Sequence, residues 1–359
     1  DFQTTEARIR CGSVADEENA FGVVKRLEDT MCTMRRNMQD LNQYALMDDS
    51  DTSRLRWFPS LQPGSVQTAT VALAASALGS GALALPHAFS LTGVGLGLVT
   101  MMAAAFVAAI SLQVLMVAAR YTGTKSYAGV LELAIGSHAA SVALDLGVLL
   151  NGIGSCTCIV IFEGDFLPAV LASPPGLPGW TVSRESAVLG AALAAWPLTL
   201  PADISALRYV AVAVPFALLI TIAIVAWDAP ELYSVLRANG DHIAWWDFDL
   251  RRWLQAAAIM VNAFCNHMNA VPVANQLEKP TIARIVRTTV NANLVVWSLL
   301  CCLGIGGYAS WAGATKGDFL LNYPQDRPEI WICRLMLALL VYLVLPVALL
   351  PTAKSCAHL

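Results

Sequence analysis

The stretch Asn262-Ala263-Phe264-Cys265-Asn266-His267-Met268-Asn269-Ala270-Val271-Pro272 packs three asparagines and a histidine into an otherwise apolar run. Burying such groups is costly unless they meet partners, water or a ligand. A second unusual place is Gly79-Ser80-Gly81, with Pro86 and His87 just beyond. It interrupts residues 57–119, 63 residues without one Asp, Glu, Lys or Arg. Glycine lets a backbone leave the helix and lets a ligand approach it closely. No nucleophile–base pair and no metal-ligand cluster stands out, so the chemistry on offer is recognition of a small solute. The reading is not an enzyme, and no metal, cofactor or nucleic-acid partner is expected. Broken helices deep in apolar runs are where transporters hold solutes and ions.

The elements that must position these residues are membrane spans. About 20 apolar residues cross a bilayer, so 57–119 is long enough for two crossings. Backbone groups cannot stay unpaired in hydrocarbon, so a break at that depth must line protein or water. Charged residues make up 13% of the chain and apolar ones 57%, a balance that excludes an ordinary soluble domain. Eight spans are expected, at about 66–91, 94–119, 141–162, 186–200, 207–227, 253–276, 290–312 and 333–352, forming a membrane domain over 57–359. The Glu163-Gly164-Asp165 triplet marks the expected end of span 3. Arg54 and Arg56 beside span 1 place the N-terminal tail in the cytoplasm. Cys156, Cys158, Cys265, Cys301 and Cys302 lie in apolar runs, where cysteine serves mainly as a small packing residue.

Residues 1–56 form a polar tail. Within it Val24, Leu27, Met31, Met34, Met38, Leu41 and Ala45 repeat with alternating spacings of three and four. That is an amphipathic or coiled-coil seam over 24–45, suited to an adaptable cytoplasmic partner. The first residue is Asp1, not Met, and the chain is expected to be part of a longer protein.

The breaks fall at similar depths in the first and sixth spans, the pattern of an inverted-repeat transporter. Gly79-Ser80-Gly81-Ala82-Leu83-Ala84-Leu85-Pro86-His87-Ala88-Phe89 resembles the first-span motif of the amino acid/auxin permease family. Phe264, His267, Asn269, Pro272, Gln276 and Leu277 resemble its sixth-span motif, with Asn266 in the Cys/Ser place. Gly164-Asp165-Phe166-Leu167-Pro168, Gly307-Tyr308, Asn322-Tyr323-Pro324, Pro346 and Pro351 extend the likeness over about 64–354. The resemblance implies an all-α polytopic protein with a LeuT-like inverted-repeat fold of the APC superfamily, here ending after about eight transmembrane helices. It implies a secondary transporter of amino acids in the plasma membrane or a vacuolar or lysosomal membrane. An amino-acid sensor acting through the tail is the alternative; a channel is a further one. The backbone at Gly79, Ser80 and Gly81 would hold the substrate carboxylate, since helix N-terminal amides favour an anion. Phe264, Cys265 and Asn266 would meet the amino group and side chain, and Asn151 in span 3 could face the same space.

The coupling ion follows from absences in the motif. Sodium-coupled relatives carry an Asn four residues before the first-span Gly, where this chain has Ala75 beside Ser76. They also carry a Thr shortly before the span 8 proline, where this chain offers Tyr342 and Val344. Sodium prefers hard oxygen ligands. His267 and His87 are the titratable alternatives, and histidine titrates nearest neutrality. Proton-coupled or uncoupled transport is therefore expected over sodium coupling. For the tail, Met31→Asp combined with Met38→Asp should release a packed 24–45 seam, because buried charge is costly. Limited proteolysis should then cut the tail of the double variant faster than that of the parent; equal digestion would make the seam a coincidence.

Overall fold

The computed structural model describes residues 64–124, 126–172, 180–199, 208–238, 241–323 and 327–359. The 24–45 seam, Arg54, Arg56 and Trp57 lie outside them. Among the described residues the regular structure is all helical: α1 (Val66–Ala77), α2 (Leu85–Thr92), α3 (Val94–Thr122), α4 (Tyr127–Ile135), α5 (His138–Ala172), α6 (Arg184–Thr199), α7 (Arg208–Ala238), α8 (Leu250–Asn262), α9 (Ala270–Gln276), α10 (Ile282–Trp311) and α11 (Pro328–His358). Val94–Thr122, His138–Ala172, Ala213–Ala238 and Ile282–Ala314 are each long and apolar enough to cross a bilayer. The pair Val66–Ala77 and Gly81–Thr92, bent by 58°, makes a fifth crossing if it is one span. These helices make the chain a polytopic membrane protein. Arg184–Thr199 adds 16 described residues of helix, about 24 Å at the helical rise.

Two helices pass through charges expected to end them. Helix α5 carries Glu163-Gly164-Asp165 inside it and runs on to Ala172. Gly164 makes this possible: a Cβ there would lie 2.9 Å from Val188 Cγ2, so α6 packs against bare backbone. Asp165 Oδ1 accepts from Arg184 Nε at 3.1 Å, which neutralises one charge of the triplet. Helix α7 likewise continues past 227 because buried Asp228 lies 3.7 Å from Arg327. Helix α4 occupies part of the stretch between the expected spans 2 and 3. Ser126 caps it by accepting from Gly129 N–H, and Gly136 closes it in the left-handed region, the usual start and stop chemistry.

The two broken stretches lie antiparallel. At one end Glu278 N–H donates to Gly64 O at 2.9 Å; at the other Asp247 N–H donates to Thr92 O at 2.9 Å. Residues 244–247 thus form a strap over the α2–α3 turn. Ala244 O accepts from Val94 N–H and Trp245 O from Gly95 N–H, while Ala244 N–H donates to the Tyr308 hydroxyl at 2.9 Å. Gly93 has φ 76°, and a Cβ there would stand 2.8 Å from Ala244 O, so both conformation and space require glycine.

Helix α2 is held by a glycine slot. The Phe89 ring is fully buried between Gly97 of α3 and Gly304 of α10, where Cβ atoms would come within 2.6 and 2.5 Å of it. Gly307 similarly leaves room for Pro86. Gly304→Ala should therefore overpack the slot and cost about 1–3 kcal/mol. Thermal unfolding in detergent should show the loss, and adding Phe89→Leu should recover part of it; additive losses in the double variant would show that the two positions are not coupled through the slot.

Candidate functional site

Both helix breaks are built by local chemistry. At the first, Leu78 N–H still reaches Ala74 O, but Gly79 N–H turns back two residues to Ala77 O. A short 3-10 turn, Ser80–Ala84, restarts the helix, with Ala82 N–H bonded to Gly79 O. Pro86 then sits in the first turn of α2, where a missing N–H costs no intrahelical bond. At the second break the ladder shortens step by step. Phe264 and Cys265 amides donate three residues back, to Val261 O and Asn262 O, and Asn266 donates two back, to Phe264 O. The turn His267–Asn269 leads into α9, whose Pro272 again lies in a first turn.

A cavity of about 90 Å³ lies between the breaks. A single water needs roughly 10–15 Å³ of such space, so the cavity suits a small organic solute better than one bare ion. Its walls come from four places. Ser76, Ala77, Gly79 and Gly81 supply the first break; Asn262, Ala263, Cys265, Met268 and Asn269 the second. Asn151, Gly152, Ser155 and Ile159 of α5 form a third wall, and Val344 of α11 a fourth. Gly81 faces the second break directly: a Cβ on it would stand 3.4 Å from Ala263 Cα and 3.7 Å from Asn262 Nδ2. Gly152 has no room for a Cβ at all, because the Thr352 side chain occupies that place, which draws α5 and α11 together.

Of the residues singled out in the sequence, Gly79, Gly81, Asn151 and Cys265 line this cavity. Ser80 contributes its backbone to the restarting turn. Phe264 and Asn266 are 2% exposed and not on the wall. Phe264 belongs to the core, and Asn266 Nδ2 donates to Leu73 O at 3.2 Å, tying the two breaks together. His267 Nε2 lies 2.6 Å from Ser111 Oγ on α3. His87 is elsewhere, with Nδ1 3.0 Å from Thr315 O. Sequence reasoning missed Asn262 and Asn269 as wall residues although both were visible in the motif. It also missed Ser155, and Ser76 was noted only beside Ala75; a small hydroxyl gives little signal in an apolar run. Asn269 Oδ1 and Asn266 Oδ1 are buried without hydrogen-bond partners. Asn151 Nδ2 has only a long contact, 3.9 Å, to Met268 Sδ. The wall thus offers uncharged donors and acceptors, and none of its described residues is Asp, Glu, Lys, Arg or His.

Residues 62–357 match the family described as "Transmembrane amino acid transporter protein". The chain is 31% identical to "Putative amino acid transporter AAT1" of Toxoplasma gondii over 306 residues, 84% of this chain and 41% of that protein. It is 25% identical to "Vacuolar amino acid transporter 7" of Saccharomyces cerevisiae, over 75% of this chain and 54% of that protein. It is 26% identical to "Putative sodium-coupled neutral amino acid transporter 11" of Mus musculus, over 79% of this chain and 62% of that protein. The chain spans about half the length of the curated relatives it matches.

Cys265 tests the cavity directly, because it is exposed and on the wall while Cys301 and Cys333 are buried. In a variant keeping Cys265 alone, a membrane-permeant maleimide should label it, and a bulky maleimide adduct should block solute binding. Prior occupancy of the cavity by solute should slow labelling. Labelling that solute leaves unchanged would remove Cys265 from the site.

Proposed function

The chain belongs to the transmembrane amino acid transporter family, and from that premise we propose that it carries the substrate site of a secondary transporter of neutral amino acids. The observation behind this reading is the cavity enclosed by the two helix breaks and lined by uncharged groups. A zwitterion brings its own carboxylate and ammonium, which need opposite partners. The amides at Ser80 and Gly81 begin a helix and have no partner within it, so they suit the carboxylate. The shortened turn at 263–266 suits the ammonium through its carbonyls. Asn151, Ser155, Asn262 and Asn269 then meet the side chain. A substrate with a net charge on its side chain would lack a counter-charge here, and an unpaired buried charge is costly.

The antiparallel broken stretches support a LeuT-like inverted repeat. In that arrangement Phe264 and Asn266 support the second break instead of touching substrate. Transport is proton-coupled or uncoupled. Ala75 is buried apolar packing, and Val344 presents a hydrocarbon to the cavity where sodium would need oxygen. The name of the mouse relative points to sodium, which makes the ion test decisive. The N-terminal tail lies in the cytoplasm, and the host membrane is plasma, vacuolar or lysosomal.

The test is uptake into proteoliposomes by the protein at its full natural length, against a panel of amino acids, with and without sodium and an imposed pH gradient. Neutral amino acids should be taken up and should exchange by counterflow. Gly81→Ala should be tolerated, since its Cβ finds ordinary contact distance; Gly81→Val should insert normally and lose uptake by filling the space between the breaks. Full uptake by an inserted Gly81→Val protein would overturn the site. Uptake that collapses when choline replaces sodium, and ignores pH, would overturn the coupling assignment.

A further inference from the structure

Helix α5 presents Gly152, Ser155 and Ile159 to the cavity at spacings of three and four, so they share one face. The next position on that face is Glu163, four residues beyond Ile159 and about 6 Å further along the axis. Glu163 is 5% exposed, inside an apolar helix, and its Oε1 is buried with no hydrogen-bond partner. The elements packed on α5 bring few charges to it. Helix α11, packed along α5, carries Tyr342 and, further along, Arg334, which is engaged with Leu320 O and Tyr323 O. From α6, Arg184 packs along Gly164 but spends its guanidinium on Asp165, and Glu185 is exposed. Helix α4 offers only Glu132, near His138 at the other end of α5, and the Ser80–Ala84 turn has no ionisable side chain. Among the described residues no cation is paired with Glu163.

A buried carboxylate without a partner is expensive when charged and cheap when protonated, and an ionisable group at membrane depth marks an ion pathway. We propose that Glu163 is the group that binds and releases the coupled proton. This rests on the proton-coupled form of the transport reading. The carboxylate takes one proton from the compartment of entry and becomes a neutral acid. The protein then changes access, and the acid returns the proton on the opposite side as the substrate leaves. Placed one turn beyond Ile159, the residue adjoins the cavity through the helix that forms its wall, so its charge state and substrate occupancy act on one element. The imidazoles of His267 and His87 then act through their bonds to Ser111 and Thr315, as positioning groups of α9 and α2.

The experiment compares parent and Glu163→Gln proteins in proteoliposomes, with a radiolabelled mixture of neutral amino acids as probe. Counterflow at symmetric pH needs no proton movement; accumulation under an imposed pH gradient does. The parent should show both. Glu163→Gln should keep counterflow and lose gradient-driven accumulation, falling to the level seen without a gradient. Equal gradient-driven accumulation in both proteins would overturn the role of Glu163 while leaving proton coupling intact. A parent that exchanges substrate but ignores the pH gradient would overturn proton coupling itself, and the proposal with it. Loss of counterflow in a folded Glu163→Gln protein would make the residue part of substrate binding and also refute the proposal. If Glu163→Gln fails to fold, Glu163→Asp keeps the carboxylate and moves it by one methylene. Its uptake should then shift in pH dependence, and an unshifted profile would count against the assignment.

Discussion

A peptide group inside a bilayer must find a hydrogen-bond partner, and every other feature of this molecule answers to that constraint. Two apolar stretches interrupt their own helices, at Gly79 and at Ala263. Each interruption frees amides and carbonyls at a depth where lipid offers nothing. The fold sets the two interruptions against each other, with Gly81 over Ala263, so the freed groups face a shared cavity and not hydrocarbon. Asn266 reinforces this by donating from one break into the backbone before the other, at Leu73 O. The cavity is therefore a consequence of pairing two defects that neither stretch could tolerate alone.

Holding the breaks in register requires rigid surroundings, and glycine supplies them by what it omits. Gly97 and Gly304 leave the width of an aromatic ring for Phe89, and Gly307 leaves room for Pro86. Gly152 lets Thr352 of α11 press against α5, and Gly164 lets α6 approach further out. Close approach through small residues is how membrane helices associate where burial of apolar surface gives little drive. The result is that α2, the half-helix after the first break, is clamped on two sides.

Much of this was legible in the sequence because apolar length and glycine breaks are long-range signals. The positions of both breaks, and the assignment to a transporter family, could be read from residues 79–89 and 264–277. Helix ends were less legible. Glu163-Gly164-Asp165 reads as a boundary, since nothing in the sequence shows that Arg184 will meet Asp165 or that Gly164 will receive α6. Asp228 raises the same difficulty, as its partner Arg327 is distant in the chain. The site divided along similar lines. Gly79, Gly81, Asn151 and Cys265 were anticipated as wall residues, whereas Phe264 and Asn266 share their motif but turn into the core. Neighbours on an unwound turn point in different directions, and a motif does not record which. Ser76 and Ser155 were not legible as wall residues for a different reason: only the juxtaposition of four chain segments makes their hydroxyls matter.

The antiparallel pairing of the broken stretches has a consequence for biosynthesis. Gly64 and Glu278, and Thr92 and Asp247, are bonded partners that leave the ribosome far apart in time. The first broken stretch is complete well before its complement exists. During that interval its loosened turn has no mate, and a lone helix with exposed amides is a poor tenant of lipid. Until the second broken stretch exists, the groups freed at the first must find protein or water as their partner. The 244–247 strap, which latches the pair, can form only after both stretches are in place, so the closure of the cavity is a late event in the making of the chain.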